Sequence, residues 1–385
     1  MPARLTWDRV LAWRMRRQFL SEAATGEALE VLRRLSGVQA QVVSAAEMAV
    51  GVRLAPERAG AAAGELAGRD VVRTWAMRGT LHLLPADAAG AYLALIAAAR
   101  TWESASWQKT FVSAAQLARL GEAVREALQE GPRTREELTQ EVLRRTRDES
   151  LAEHLRSGWG AVLKPLAWQG ILCHGPAAGG RVTFTSPEAW SPAWLPPPSE
   201  EEAARVVVPA YLGAYGPATM EAFGAWLLRG AAGRRTLRSW FAAAADLLTT
   251  VDVEGGEAFA RTEDVDEIAA TPPTDAVRLL PAFDQYVLGP GTADAQVLAA
   301  GRRSDVSRAA GWIAPVVVAG GRVVGTWETR GRQLEVSLFA EEQRPPAAAL
   351  EVEAARIGAL LGEELEVTIG FLPPPSGPPR GGRTV

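Results

Sequence analysis

At 385 residues, 48% apolar and 22% charged, the chain is long enough for two to four domains and has the composition of a globular protein rather than a disordered one. It holds no uninterrupted apolar run near the roughly 18 to 20 residues a membrane helix needs, and Arg4, Arg9, Arg14, Arg16 and Arg17 break up the N-terminal apolar residues, which argues against a signal peptide. A single cysteine, Cys173, excludes a disulfide framework and a thiolate metal cluster, so a reducing cytoplasm without a membrane partner is the expected setting.

In chain order, three segments repeat one plan of a few helices followed by a short β-hairpin. In the first, the spacing predicts helices at about 6–20, 27–35 and 39–52, then "VVRTWAMRGTLHLLP", whose halves read as strands around an Arg78-Gly79 turn. The second gives helices at 113–131, 134–146 and 151–170, and its strands "ILCHGP" and "RVTFTS" flank the turn "AAGG". Pro132 and Thr134 mark a boundary there, and Thr134 with Glu137 matches a capping box. Three helices and a two-stranded wing make the winged variant of helix-turn-helix. The stretch "SPAWLPPPSEE" reads as a linker. A third copy starts at Glu201 and closes on the hairpin signal in "LTTVDVEGGEAFART".

From about 275 the composition turns strand-like, with a hairpin signal in "VVVAGGRVVG" and one late helix near 346–362. The tail "PPPSGPPRGGRTV" has a disordered composition. The expected class is therefore α+β: winged helices over 1–112, 113–192 and 201–272, a linker over 193–200, a β-rich domain over 273–372 and a tail over 373–385.

Within the first copy, "SGVQAQVVSAAE" (36–47) sets Gln39 and Gln41 one residue apart, positions that point to nearly opposite sides of an ideal helix. Ser36 and Gln39 match the S/T-x-x-E/Q capping box, a structural reading that Gln41 lacks. Upstream, Leu29, Leu32 and Leu35 recur at helical spacing and Gly37 is the expected stop, so the pair falls at a helix-to-helix junction where two amides can converge.

His82, His154 and His174 are the only histidines, none in H-E-x-x-H, and neither G-x-G-x-x-G after a strand nor a P-loop occurs. Metal, triad and nucleotide-cofactor chemistry are not expected, which leaves carboxylates, amides and hydroxyls. The net charge of −4 is unevenly spread: residues 1–115 hold 14 Arg/Lys against 10 Asp/Glu, 116–200 hold 10 against 11, and the rest hold 17 against 24. Such asymmetry lets an acidic chain present a basic face to phosphates. Lysine occurs only at 109 and 164, and arginine forks suit phosphate oxygens.

The tandem winged helices, the Q-x-Q junction, "WAMRGTLHLLP", and "LLPAFDQYVLG" followed by "GWIAPVVVAGGRVVG" together resemble the winged-helix DNA-binding family that includes the AlkZ and YcaQ DNA glycosylases, over roughly residues 5–370. The resemblance implies three winged helices and a β-domain arranged as a C-shaped channel for duplex DNA, with a catalytic Q-Φ-Q motif in the AlkZ type and Q-Φ-D in the YcaQ type. Gln39, Ala40 and Gln41 match Q-Φ-Q, which favours the AlkZ-like branch that unhooks interstrand crosslinks. It further implies a monomeric, cofactor-free, monofunctional glycosylase acting on double-stranded DNA with bulky N7- or N3-alkylated purines.

In this reading Gln39 and Gln41 are catalytic, and Arg73, Arg78, Thr80 and His82 on or beside the first wing contact DNA through the "RGTLH" region. His82 reads equally as a packed, hydrogen-bonded histidine. Arg133, Arg135 and Lys164 are DNA-contact candidates in the second copy, where Lys164 and Trp168 lie one turn apart on the presumed recognition helix and Trp168 reads as core. Asp284 in "PAFD" is a turn-former or a carboxylate supporting the site from behind. Winged helices bind DNA far more often than they cut glycosidic bonds, so a non-catalytic transcription regulator is the rival reading, and a protein-interaction module a third.

Overall fold

The computed structural model describes residues 3–375 and divides into two compact units; residues 376–385, most of the tail expected to be disordered, lie outside the described residues. One unit gathers Met1–Leu66, Pro209–Ala222 and Asp246–Val385, the other Ala67–Val208 and Phe223–Ala245. Each unit therefore joins distant stretches of chain, whereas the segments read from the sequence are consecutive. Among the described residues no helix is long and apolar enough to cross a membrane.

The first unit is built around the helix Trp7–Arg17, which buries two faces. Leu11 and Met15, four apart, enter a core formed mainly by the five-stranded sheet of Val277–Leu280, Val316–Ala319, Arg322–Arg330, Gln333–Phe339 and Glu366–Leu372. Val10 and Trp13, three apart, enter a smaller cluster with Leu5, Val251 and Val253. Both spacings are those of neighbours on a helix surface. Each fully buried Leu or Met contributes about 1.5–3 kcal/mol relative to exposure, so this helix ties the N-terminal stretch to the sheet.

The five strands run antiparallel except for the last pair, Gln333–Phe339 and Glu366–Leu372, which is parallel and spanned by the helix Ala347–Leu361. The expected hairpin in "VVVAGGRVVG" is present. Ala319 faces Arg322 across Gly320 and Gly321, whose φ values of 56° and 83° are those a two-residue type I′ turn requires and glycine adopts without strain. A separate three-stranded sheet pairs Ala3–Leu5 parallel to Leu248–Val253, which turns back through Gly256–Arg261.

In the second unit, Val71–Trp75 and Leu81–Pro85 form the first expected hairpin, and Cys173–His174 with Thr183–Thr185 the second. The two are joined where Arg73 lies opposite His174. Helices Ala114–Gln129 and Arg135–Thr146 stand where the sequence places them, and the Thr134–Glu137 capping box is formed. The single helix expected over 151–170 is instead broken into Ala152–Arg156 and Lys164–Trp168. The break falls at "SGWG", where Gly160 takes a φ of 61° that a right-handed helix does not contain. Trp168 packs against the core cluster of this unit, as expected.

Candidate active site and nucleic-acid surface

The Q-A-Q segment begins where the helix Ala28–Arg34 ends. Ser36 N–H donates to the Arg33 carbonyl at 3.2 Å and Gly37 N–H to the Leu32 carbonyl at 2.9 Å, the paired bonds of a Schellman cap. Ser36 itself takes the left-handed position, with φ 54°, and Gly37 follows at 89°. The Ser36–Gln39 capping box expected from the sequence is therefore not formed. Ser36 closes the preceding helix instead of opening the next one, and its buried Oγ has no hydrogen-bond partner.

The chain then runs extended through Val38–Gln39 and re-enters a helix only at Val43–Gly51, four residues later than the expected start at 39. The strand ends at Gln39 and Gln41 falls in the bend before the helix, so neither glutamine is in a helix and the opposite-sides geometry of an ideal helix does not apply to them. Ala40 between the two glutamines is fully buried, Gln39 is 6% exposed and Gln41 lies open to solvent. The helix that follows has Val42 at its N-cap and no side-chain cap.

At the far end of that helix, Arg53 and Asp284 form a fully buried bidentate pair. Nη1 and Nη2 of Arg53 each donate to an Asp284 oxygen at 2.7 Å, and Nη1 also donates to the Ala49 carbonyl at 2.6 Å. Asp284 accepts a further bond from Tyr286 N–H at 2.8 Å, capping the short helix Gln285–Leu288. A buried charge is tolerated when paired and hydrogen-bonded like this. The preceding residue, Phe283, has φ 59°, a costly conformation for an aromatic residue, and packs edge-on against Trp312 at 4.9 Å. Asp284 is thus a cap and an ion-pair partner, committed to holding the helix that leads back to Gln41. Arg53 escaped the sequence reading; its signal was one arginine inside the apolar run "MAVGVRLAP".

In the second unit the DNA-contact candidates separate into groups. Arg78 sits in the turn between the first two strands with φ 58°, donating from Nη1 to the Trp226 carbonyl at 3.2 Å, and Thr80 Oγ1 donates to the Met77 carbonyl at 3.1 Å. Lys164 Nζ lies 4.0 Å from where a Cβ on Gly79 would stand. Burial, then the charge of Arg229, lowers its pKa. Arg78, Lys164 and Arg229 thus form one cationic group, of which Arg229 was not anticipated.

A second group joins Arg73, Arg135 and His174, where burial and then the charges of Arg73 and Arg135 push the His174 pKa down to about 3. Burial also lowers the pKa of Arg73 and of Arg135. Arg135 donates from Nη1 to the carbonyls of Leu155 at 3.2 Å and Ser157 at 3.1 Å and lies over the Phe184 ring at 5.1 Å. Arg133 stands apart, bonded to the Ala127 carbonyl at 3.1 Å and paired with Glu130.

For His82 the sequence leaves both DNA contact and a packed, hydrogen-bonded ring open, and the structure buries the side chain. The strand Leu81–Pro85 is buried along its whole length rather than on alternate residues, and His82 is 0% exposed. Burial, then Arg78, pushes its pKa down to about 3, so the ring is neutral and its Nδ1–H donates to the Thr80 carbonyl at 3.0 Å. It is a packed histidine.

An α+β chain with a Q-x-Q segment at a helix junction in one unit and cationic hairpins in the other defines a class, and the chain belongs to the AlkZ-like family of DNA glycosylases: the family model described as "DNA glycosylase AlkZ-like" matches residues 32–360. It is 49% identical over 359 residues to the interstrand DNA cross-link repair glycosylase of Streptomyces sahachiroi, an alignment covering 93% of this chain and 97% of that protein. The solved structure of the Streptomyces sahachiroi DNA glycosylase AlkZ matches it with a TM-score of 0.92 at 48% identity, covering 96% of this chain and 100% of that one. The α+β class and the glycosylase activity expected from the sequence are borne out by these likenesses.

Proposed function

We propose that the protein is a monofunctional glycosylase that hydrolyses the N-glycosidic bond of bulky N7- or N3-alkylated purines in duplex DNA, unhooking interstrand crosslinks, with Gln39 and Gln41 as its catalytic residues. The observation that carries this is the chemistry of the junction: from Ser36 to Ala46 the chain offers two side-chain amides and no titratable group. An N7- or N3-alkylated purine is already cationic and departs as a neutral base, so it needs no acid. Water adds to the sugar C1′ as the C–N bond breaks, and one proton is lost to solvent. An amide carbonyl accepts a hydrogen bond from that water, orients it and favours the oxocarbenium character that develops. Glutamine is no strong base, so an unmodified nucleotide with a poor leaving group is left intact.

The test is single-turnover base release from a duplex carrying one N7-alkylguanine or one N7-linked crosslink, read as alkali-induced strand cleavage at that position. Gln41→Ala leaves the melting temperature nearly unchanged and slows release about tenfold or more. Gln39→Ala slows it comparably without the loss of a helix cap, because no cap is there to lose. If both alanine variants bind the damaged duplex and release the base at the wild-type rate, the glutamines are not catalytic.

A further inference from the structure

Trp159 is 82% exposed, more than any other large apolar side chain among the described residues. It stands on the turn Ser157–Gly160 that interrupts the expected helix, with a glycine on either side. A Cβ on Gly158 would meet nothing within 4 Å, so the turn is open on that side.

The other flank is fixed. A Cβ on Gly160 would lie 2.6 Å from the Trp75 ring, so the turn rests directly on that indole. Trp75 stacks on Phe184 at 5.9 Å, the Arg135 guanidinium covers Phe184, and Arg135 donates back to the Leu155 and Ser157 carbonyls at the start of the turn. Gly160 N–H donates to the Ser157 carbonyl at 3.1 Å, and the N–H groups of Leu163 and Lys164 both reach the Gly160 carbonyl at 2.9 Å. The turn is therefore pinned at both ends while its one large side chain projects into water. Arg156, just before the turn, is exposed and ion-paired with Glu136 at 3.7 Å. An uncharged, exposed aromatic on a rigid base matches a nucleobase face, on which an aromatic ring stacks whatever the base.

We propose that Trp159 contacts the bound duplex as a wedge, its indole stacking on or inserting beside a nucleobase, so that binding reads how easily the bases at a site come apart. The proposal rests on the reading of duplex DNA as substrate. A damaged or crosslinked step, already poorly stacked, accepts such a side chain at lower cost than intact DNA does.

The experiment uses the full-length protein and duplexes with 2-aminopurine beside a single N7-alkylguanine, with an undamaged duplex as reference. Binding is measured apart from base release across a salt series. Trp159→Ala weakens binding to the damaged duplex by between about fivefold and about a hundredfold and suppresses the rise in 2-aminopurine fluorescence that the wild type produces. The slope of log affinity against log salt stays the same, because no charge is removed. Trp159→Phe, which keeps a stacking ring, recovers most of the loss. The proposal is overturned if Trp159→Ala binds and unstacks the probe like the wild type, or if Trp159→Phe is as defective as the alanine variant. A wild type that binds but releases no alkylated base refutes the proposed activity and leaves the wedge standing.

Discussion

Two arginines, one in each unit, the first buried and the second half-buried, are satisfied in opposite ways. Arg53 meets a carboxylate, with both Nη atoms bonded to Asp284 and both side chains almost wholly buried. Among the described residues Arg135 meets carbonyls, those of Leu155 and Ser157, and an aromatic ring. A carboxylate cancels the guanidinium charge, whereas a carbonyl satisfies its N–H groups and leaves the charge standing. The first arrangement is a brace, fixing the helix that starts just after Gln41. The second leaves net positive charge on the unit that carries most of the DNA-contact candidates, and its reach is seen in His174, held neutral partly by Arg73 and Arg135.

The largest effect comes from breaking the brace. Asp284→Ala leaves a buried guanidinium without its counterion and removes the cap of the helix Gln285–Leu288, so thermal or urea unfolding reports a loss of about 3–5 kcal/mol. A double substitution of Arg53 and Asp284 by apolar residues of similar volume loses far less, since it leaves no orphaned charge. If Asp284→Ala unfolds like the wild type, the pair is no brace and the carboxylate is available for another task.

The same comparison marks what the sequence makes legible. Periodicity finds the helices Ala114–Gln129 and Arg135–Thr146 and paired turn signals find the hairpins, because these are decided by neighbours along the chain. Two matches to the capping-box pattern had different fates. Thr134 opens a helix, but Ser36 is taken by the end of the preceding one, a competition that a four-residue pattern does not register. The glycines of "SGWG" did signal the break in the third helix of the second copy, against an otherwise helical run. The choice between the two readings of His82 turns on burial that a local pattern does not register: a wing is ordinarily half-exposed, and this strand is buried at every position. Arg53 and Asp284 lie 231 positions apart, so no local pattern pairs them. The Q-x-Q motif itself was visible; the non-helical stretch from Val38 to Val42 that carries it was not.

An intermediate effect tests the uncompensated side through pH. His82 and His174 have folded pKa values of about 3, below the ordinary value near 6.5. As pH falls below 6.5 the unfolded chain gains protons that the folded chain refuses. Their contribution to stability is therefore full above pH 6.5 and lost progressively toward pH 3. Between pH 7 and pH 5 each histidine should cost on the order of 1 to 2 kcal/mol. The measurement is urea unfolding at both pH values for the wild type and for His82→Gln and His174→Gln. Each substitution should flatten the pH dependence; a dependence unchanged in both variants assigns it to other groups.

The smallest effect reads the standing charge directly. Lys164 Nζ lies near the Gly79 turn and beside Arg229, and Arg78 in the turn donates to the Trp226 carbonyl. If these charges face phosphates, each one neutralised on binding releases condensed counterions, and log affinity falls with log salt by about 0.9 per contact in B-form DNA. Lys164→Gln should lower duplex affinity severalfold at low salt and reduce that slope by about one, for damaged and undamaged duplex alike, because phosphate contacts carry no sequence or lesion information. Arg133→Gln serves as the contrast. Its guanidinium is already paired with Glu130, so removing it should leave the slope where it was. A slope that falls for Arg133→Gln and stays fixed for Lys164→Gln would reverse the assignment of paired and standing charge, and with it the division of labour drawn between Arg53 and Arg135.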